Sequence, residues 1–404
     1  MKLALKRFFA ILFVILLLTV SAVGGYMFAS VLADGGLTTL EICILAPVFF
    51  VAYYLTVAVH EAGHLVFGLL TGYSFSSYRI ASFMWVLIDG KIRFKRFSLV
   101  GTGGQCLMIP PETDEDGRMP VFLYNMGGAF FNLIFGAAAI AVYFLVNGPT
   151  LLKASMLIFA ALNFLTALFN GIPLRVGGLN NDGSNALSLG KDKAAVRALR
   201  LQMLMNAEQT RGVRIKDMPE EWFAEPTEEE MKNPITATIA VFRCNRLMDE
   251  YRFAEANDAI FRLLNSESGI VSIHRSLLEC DRIYCELMGE GRREIVDSIL
   301  DTTLKTFMRS MKKFPSVIRT EYVIALLHEN NREKAENIEK IFEKYTKNYP
   351  YDTDREAERE LMRLALEHYL RRNDPHTSEM RKDESEEPGK AFSQDPTDST
   401  DEMR

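Results

Sequence analysis

The chain has 404 residues and a formal net charge of −6, a length that accommodates two domains. Residues 374–404 carry ten acidic and four basic side chains, leaving 42 of each sign in the remainder, so the acidity belongs to a tail. No basic field stands out, which argues against a nucleic-acid partner. The five cysteines are odd in number and show no CxxC spacing, so neither a zinc knuckle nor a disulfide framework is indicated, and reduced thiols are expected.

Residues 8–33 carry no charge and follow Lys2, Lys6 and Arg7, a run long enough to span a bilayer with some tilt. A cleaved signal peptide, processed near Ser21-Ala22 or Leu32-Ala33, is the alternative reading. A second apolar span over 42–72 contains His60-Glu61-Ala62-Gly63-His64. Histidines at i and i+4 share one helix face and can hold zinc through two imidazoles, while a neighbouring glutamate handles a proton of water. His60 stands about 27 Å beyond Ile42 along a helix, in the inner half of a bilayer. Ionisable groups at that depth are costly and usually functional.

Residues 73–120 leave the membrane pattern. Two β-rich segments, 80–88 and 92–99, flank Asp89-Gly90, a tight-hairpin signal, and an extended segment over 105–109 stops at Pro110-Pro111. Arg79, Lys91, Arg93, Lys95, Arg96 and Arg118 make this region basic, whereas the outer loops offer only Lys153, so it is expected to face the cytoplasm. Spans three and four are expected over 121–147 and 154–172, with Gly148-Pro149 at the outer turn. The third holds Gly128-Ala-Phe-Phe-Asn132, small and amide residues suited to close helix packing. After the fourth, Pro173 and Gly177-Gly178 interrupt regular structure ahead of Asp182-Gly183, and irregular backbone at membrane depth needs cover from protein or a wet cavity. The other histidines, His274, His328, His368 and His376, all lie in the charged C-terminal half. A third metal ligand is therefore expected to be a carboxylate.

The fold class expected is mainly α: a four-span membrane helix bundle over residues 1–190 with a small cytoplasmic β-hairpin insert. An α-helical cytoplasmic domain over 191–373, tetratricopeptide-like in the spacing of segments 252–264 and 332–342, and a disordered acidic tail over 374–404 would follow. A plain helical bundle is the competing reading of the second domain.

With these motifs in view, residues 40–190 resemble the site-2 protease family of intramembrane zinc metalloproteases. The resemblance rests on His60-Glu-Ala-Gly-His64, on Gly128 to Asn132, and on Asn170, Pro173 and Asp182-Gly183. It departs from the family at Ala129, where a proline is usual, and in a longer gap from Asn170 to Asp182. What it implies is one zinc ion held by His60, His64 and Asp182, Glu61 as general base, and Asn170 and Asn132 near substrate or the developing oxyanion. It implies peptide-bond hydrolysis in or beside a transmembrane segment of a membrane protein or peptide substrate within the lipid bilayer of the cell membrane. Both termini would be cytoplasmic, and the helical domain would offer a surface for a cytoplasmic protein partner. A proteolytically silent scaffold and a zinc-binding transporter or sensor are the rival readings.

Overall fold

The computed structural model describes residues 3–97, 102–176 and 179–373. The expected tail, Gly177-Gly178 and the last residues of the 92–99 segment lie outside these. Helices α1 (Leu3–Gly35), α2 (Thr39–Leu70), α3 (Val121–Leu145) and α4 (Thr150–Gly171) are each long and apolar enough to cross a membrane. Many of their large side chains face outward, Phe50 and Leu145 among them, as suits helices solvated by lipid. α2 begins with a capping box: the Thr38 hydroxyl accepts from the Glu41 N–H, and the Glu41 carboxylate accepts from the Thr38 N–H. Its 32 residues reach about 48 Å, well past a hydrocarbon core of about 30 Å. α1 lies along α4, with Phe13 edge-on to Phe169 at 5.0 Å and Val31 buried against Ala154 and Leu157.

Between α2 and α3 stands an antiparallel sheet of β1 (Ser74–Ile80), β2 (Phe83–Ile88), β3 (Lys91–Arg96) and β4 (Gly104–Ile109), in the order β3-β2-β1-β4. The hairpin at Asp89-Gly90 forms as expected, both residues having positive φ, with Ile88 paired to Lys91. The insert is nevertheless larger than a hairpin. Segment 80–88 is not one strand: Ile80 ends β1, the chain turns at Ala81-Ser82 with Ala81 at φ 51°, and β2 follows with Phe83 paired to Ile80. β1 escapes a sequence reading because it buries Ser76, Ser77 and Arg79 where apolar residues are the usual signal.

After α4 the chain forms a short ladder, β5 (Arg175–Val176) with β6 (Leu179–Asn180), and then α5 (Asp182–Ser188). α6 (Lys193–Thr210) leads to short turns around Pro219 and Pro226 and then to a helical domain. That domain comprises α7 (Pro234–Asp249), α8 (Phe253–Asn265), α9 (Ser272–Met288), α10 (Arg293–Ile299), α11 (Thr302–Ser310), α12 (Pro315–Val323), α13 (Arg332–Thr346) and α14 (Asp352–Arg372). Consecutive helices pack on one another, α7 on α8, α8 on α9 and α12 on α13, around a core containing Tyr284, Ile318, Leu326 and Phe342. Within it the guanidinium of Arg319, 1% exposed, pairs with Asp281 and with Glu358 at 2.8 Å. The domain also meets the sheet. Lys95 pairs with Asp352 at 3.6 Å, and the Phe97 ring lies edge-on to Tyr349 at 5.5 Å. All five cysteines are free.

Candidate metal centre

Four helices converge where α2 crosses α3 and α5 packs against α3 and α4. The crossing is close because it is made of glycine. A Cβ on Gly63 would strike the backbone of Gly127 and Gly128, and a Cβ on Gly183 would strike the Gly171 carbonyl. A Cβ on Gly128 would stand 2.5 Å from His60 Cε1, so only glycine leaves room for that imidazole. Helices packed on small residues bring backbones together in the membrane. Here that contact places a ring edge against a backbone.

Asp182 is brought to the two histidines by Asn181. The Asn181 Oδ1 accepts from the N–H groups of Leu174 and Ser184, both at 3.0 Å, and its Nδ2 donates to the carbonyls of Phe169 (2.7 Å) and Ile172 (2.6 Å). One amide thus closes the open C-terminal carbonyls of α4 and caps α5, whose first residue is Asp182. The Ser184 hydroxyl adds a bond to the Leu174 carbonyl at 2.9 Å.

The result is a triangle. His60 Nε2 lies 3.1 Å from Asp182 Oδ2, His64 Nε2 lies 3.3 Å from the same oxygen, and the two Nε2 atoms are 3.2 Å apart. The tautomers follow from what the other ring nitrogens touch. His64 Nδ1 stands 2.8 Å from the Tyr124 carbonyl, which can only accept, so Nδ1 carries the proton. His60 Nδ1 donates to Asn132 Oδ1 at 2.8 Å. The Asn132 amide is itself held one way round, because its Nδ2 donates to the Thr56 carbonyl (3.2 Å) and to Asn163 Oδ1 (2.8 Å). Asn163 in turn donates to the Thr56 hydroxyl at 3.0 Å and to the Phe159 carbonyl at 2.8 Å. In the neutral rings both Nε2 atoms then present lone pairs, to each other and to a carboxylate oxygen. With both rings neutral, three acceptors this close repel unless a cation lies between them. Ligands about 2.0–2.1 Å from a tetrahedral zinc stand roughly 3.3 Å apart, which these spacings match.

Glu61, 9% exposed, sits one step round α2 and faces the sheet. Gly104 at the head of β4 lies against it, since a Cβ there would come within 2.7 Å of Glu61 Oε1 and Cγ and of Val57 Cγ1. Among the described residues its carboxylate makes no hydrogen bond. Behind Gly104, the buried Arg79 on β1 donates to the carbonyls of Gly104 (3.2 Å) and Ala81 (2.8 Å) and to the Thr102 hydroxyl (2.6 Å), fixing the start of β4.

The structure thus brings Asp182, distant in sequence, to the stretch that carries His60, Glu61 and His64. Asn132 reaches His60, and its three hydrogen bonds are all made within the protein. Asn170 is in the last turn of α4 and donates to the Thr166 carbonyl of its own helix at 3.0 Å. Sequence reasoning missed Thr56, Asn163, Tyr124 and Asn181. Asn163 carried a usable signal, an amide in the middle of an apolar span, and Thr56 sits one turn before His60.

A family model described as Peptidase family M50 matches residues 48–347. No curated protein and no solved structure matches this chain. The matched span takes in α2 with its histidine pair, the sheet, α5 with Asp182 and most of the helical domain, and the chain belongs to peptidase family M50, the zinc-dependent membrane metallopeptidases of the site-2 protease family.

Proposed function

We propose that this chain is an intramembrane zinc endopeptidase in which His60, His64 and Asp182 hold one zinc ion and Glu61 is the general base. The observation that carries the reading is the convergence of two Nε2 lone pairs and a carboxylate oxygen within 3.3 Å, with both tautomers fixed by carbonyl acceptors. Zinc bound there supplies a Lewis acid that polarises a scissile carbonyl and brings the pKa of water towards neutrality. Glu61, free of hydrogen bonds among the described residues, takes the proton of the attacking water and passes it to the departing amine. Asn132 and Asn163 act as positioning residues that hold His60 in its ligating tautomer. Asn170, at the end of α4, is the residue left to support substrate or oxyanion.

A transmembrane helix hides its carbonyls in internal hydrogen bonds, so the substrate segment must be extended before attack. β4 is an edge strand whose first residue touches Glu61, and a substrate strand added there would carry its peptide bonds past the base. The membrane domain is read as residues 1–190 and the helical domain as 191–373, with both termini and the helical domain cytoplasmic because the loops on that side are basic. The helical domain then recruits or gates substrate.

The test is Glu61→Gln. Cleavage of a co-expressed membrane substrate is expected to vanish while one zinc per chain remains, and Asp182→Ala is expected to lose the zinc. Undiminished cleavage by the Gln variant would overturn the base assignment, and zinc content indifferent to Asp182 would overturn the ligand set. A transporter would move metal across vesicles whatever stood at position 61.

A further inference from the structure

The helical domain holds a cleft of about 260 Å³, apart from the metal centre. Asp249 of α7, Asp281 of α9, Arg319 of α12, Asp354 and Glu358 of α14, and Arg214 ahead of α7 all line it. Direct contacts tie them into one cluster. Arg214 pairs with Asp249 and, at 2.6 Å, with Glu360, while Arg319 pairs with Asp281 and, at 2.8 Å, with Glu358. Two guanidinium groups thus serve four carboxylates, and Asp354 is left over. It lies one turn from Glu358 on the same face of α14, and among the described residues the only group that hydrogen-bonds its carboxylate is the Gln209 amide, at 2.8 Å. Burial, with Glu358 and Asp249 nearby, pushes its carboxyl up to about 7. The cleft is short of a cation.

The same lining offers more than charge. Phe242, Leu277 and Phe314 give it apolar walls, which suit the methylene stem of a lysine or arginine. The half-buried Asn245 amide makes no hydrogen bond among the described residues, and the Thr353 hydroxyl, on a residue 7% exposed, has no partner either. Buried polar groups are ordinarily paired, so both are open to a ligand. An amide with a free donor and a free acceptor matches a peptide backbone. The cleft also adjoins the sheet laid over Glu61. Tyr349 lines it and meets the Phe97 ring at 5.5 Å, and α6, which brings Gln209 into it, packs on β4.

We infer that the cleft is a docking site for a peptide segment bearing lysine or arginine, the cation meeting Asp354 and the backbone meeting Asn245. The segment is the cytoplasmic flank of the substrate's transmembrane helix. Such flanks carry an excess of Lys and Arg, and one held beside the sheet keeps the adjoining span near the base. The identity of the occupant rests on the protease reading; the presence of a basic-peptide site does not.

Fluorescence anisotropy of a labelled decapeptide of alternating Ala and Lys, mixed with the purified full chain in detergent at pH 8, tests the site. The lysine peptide is expected to bind, and its Ala-Gln counterpart far more weakly. Asp354→Asn, which keeps the acceptor for Gln209, is expected to weaken the lysine peptide roughly 10-fold, and Asn245→Ala about 5-fold. Asp258→Asn, at an exposed acid on α8, is expected to change nothing. Equal binding of the two peptides, or an Asp354→Asn variant that binds like wild type, overturns the proposal. Spermidine that displaces the peptide at equal concentration overturns it too, since the cleft would then belong to a free polyamine. In cleavage, Asp354→Asn is expected to raise KM roughly 10-fold at unchanged kcat for a membrane substrate with a lysine-rich cytoplasmic flank, and to leave a glutamine-flanked one alone. A KM indifferent to the flank overturns the substrate assignment. Failure of the protease reading itself looks different: wild type cleaves neither substrate while the lysine peptide still binds.

Discussion

Replacing Asn132 separates two roles that a polar residue beside a metal centre can play. Asn132 is fully buried, and its amide makes three hydrogen bonds, to His60 Nδ1 at 2.8 Å, Asn163 Oδ1 at 2.8 Å and the Thr56 carbonyl at 3.2 Å. Asn132→Leu keeps the volume and removes the acceptor that fixes the His60 tautomer. Loss of such a partner typically weakens metal affinity 10–100-fold, equivalent to about 1.4–2.8 kcal/mol. Asn132→Asp restores the acceptor while giving up the donors to Thr56 and Asn163, so its zinc affinity is expected to stay close to wild type. The assay is competition for zinc between the purified full chain and a fluorescent chelator, run beside cleavage of a membrane substrate. If Asn132 served the substrate instead, the Leu variant would lose turnover with its zinc affinity intact, and that result would refute the positioning argument.

Gly104→Ala puts a methyl group 2.7 Å from the Glu61 carboxylate and Val57. It is expected to lower cleavage on the order of 100-fold through displacement of the base, with zinc content unchanged. Arg319→Leu leaves Asp281 and Glu358 without their buried counter-charge. A loss of about 3–5 kcal/mol is expected in thermal or denaturant unfolding of the full chain. Burial, reinforced by Glu358, pushes the Asp354 carboxyl up to about 7, although the Gln209 amide donates to it. The folded state therefore holds a proton that the unfolded chain releases above about pH 4, and stability falls as pH rises through the window from about 4 to 7. Asp354→Asn, which keeps the acceptor for Gln209, is expected to raise the melting temperature at pH 8, by at most about 4 kcal/mol in stability. The gain should fade towards pH 4, and an equal gain at both pH values would contradict it.

Some of this protein is legible in the sequence because the signals are local. Two histidines four residues apart must share a helix face, uncharged runs of bilayer length must bury their backbone polar groups in helices, and Asp89-Gly90 turns a hairpin. The expected spans lie within a few residues of the helices observed. Strand β1 and the network around His60 are not legible, because their residues acquire meaning only from what lies across the fold. Ser77 carries no strand signal until Val86 of β2 and Leu107 of β4 flank it. Thr56, Asn132 and Asn163 belong to three separate helices, and nothing in their spacing links them.

By itself, the sequence determined the family resemblance, the histidine–glutamate stretch and the membrane spans, all of which follow from periodicity and from the cost of charge in lipid. Only the tertiary structure decided the rest. It set Asp182 against both imidazoles through the Asn181 amide, fixed the two tautomers through carbonyls of other segments, and laid the head of β4 over Glu61. The physical reason is that a tautomer and a ligand triangle are set by hydrogen bonds between segments distant in the chain, which exist only once Gly63, Gly128 and Gly183 have let those segments close.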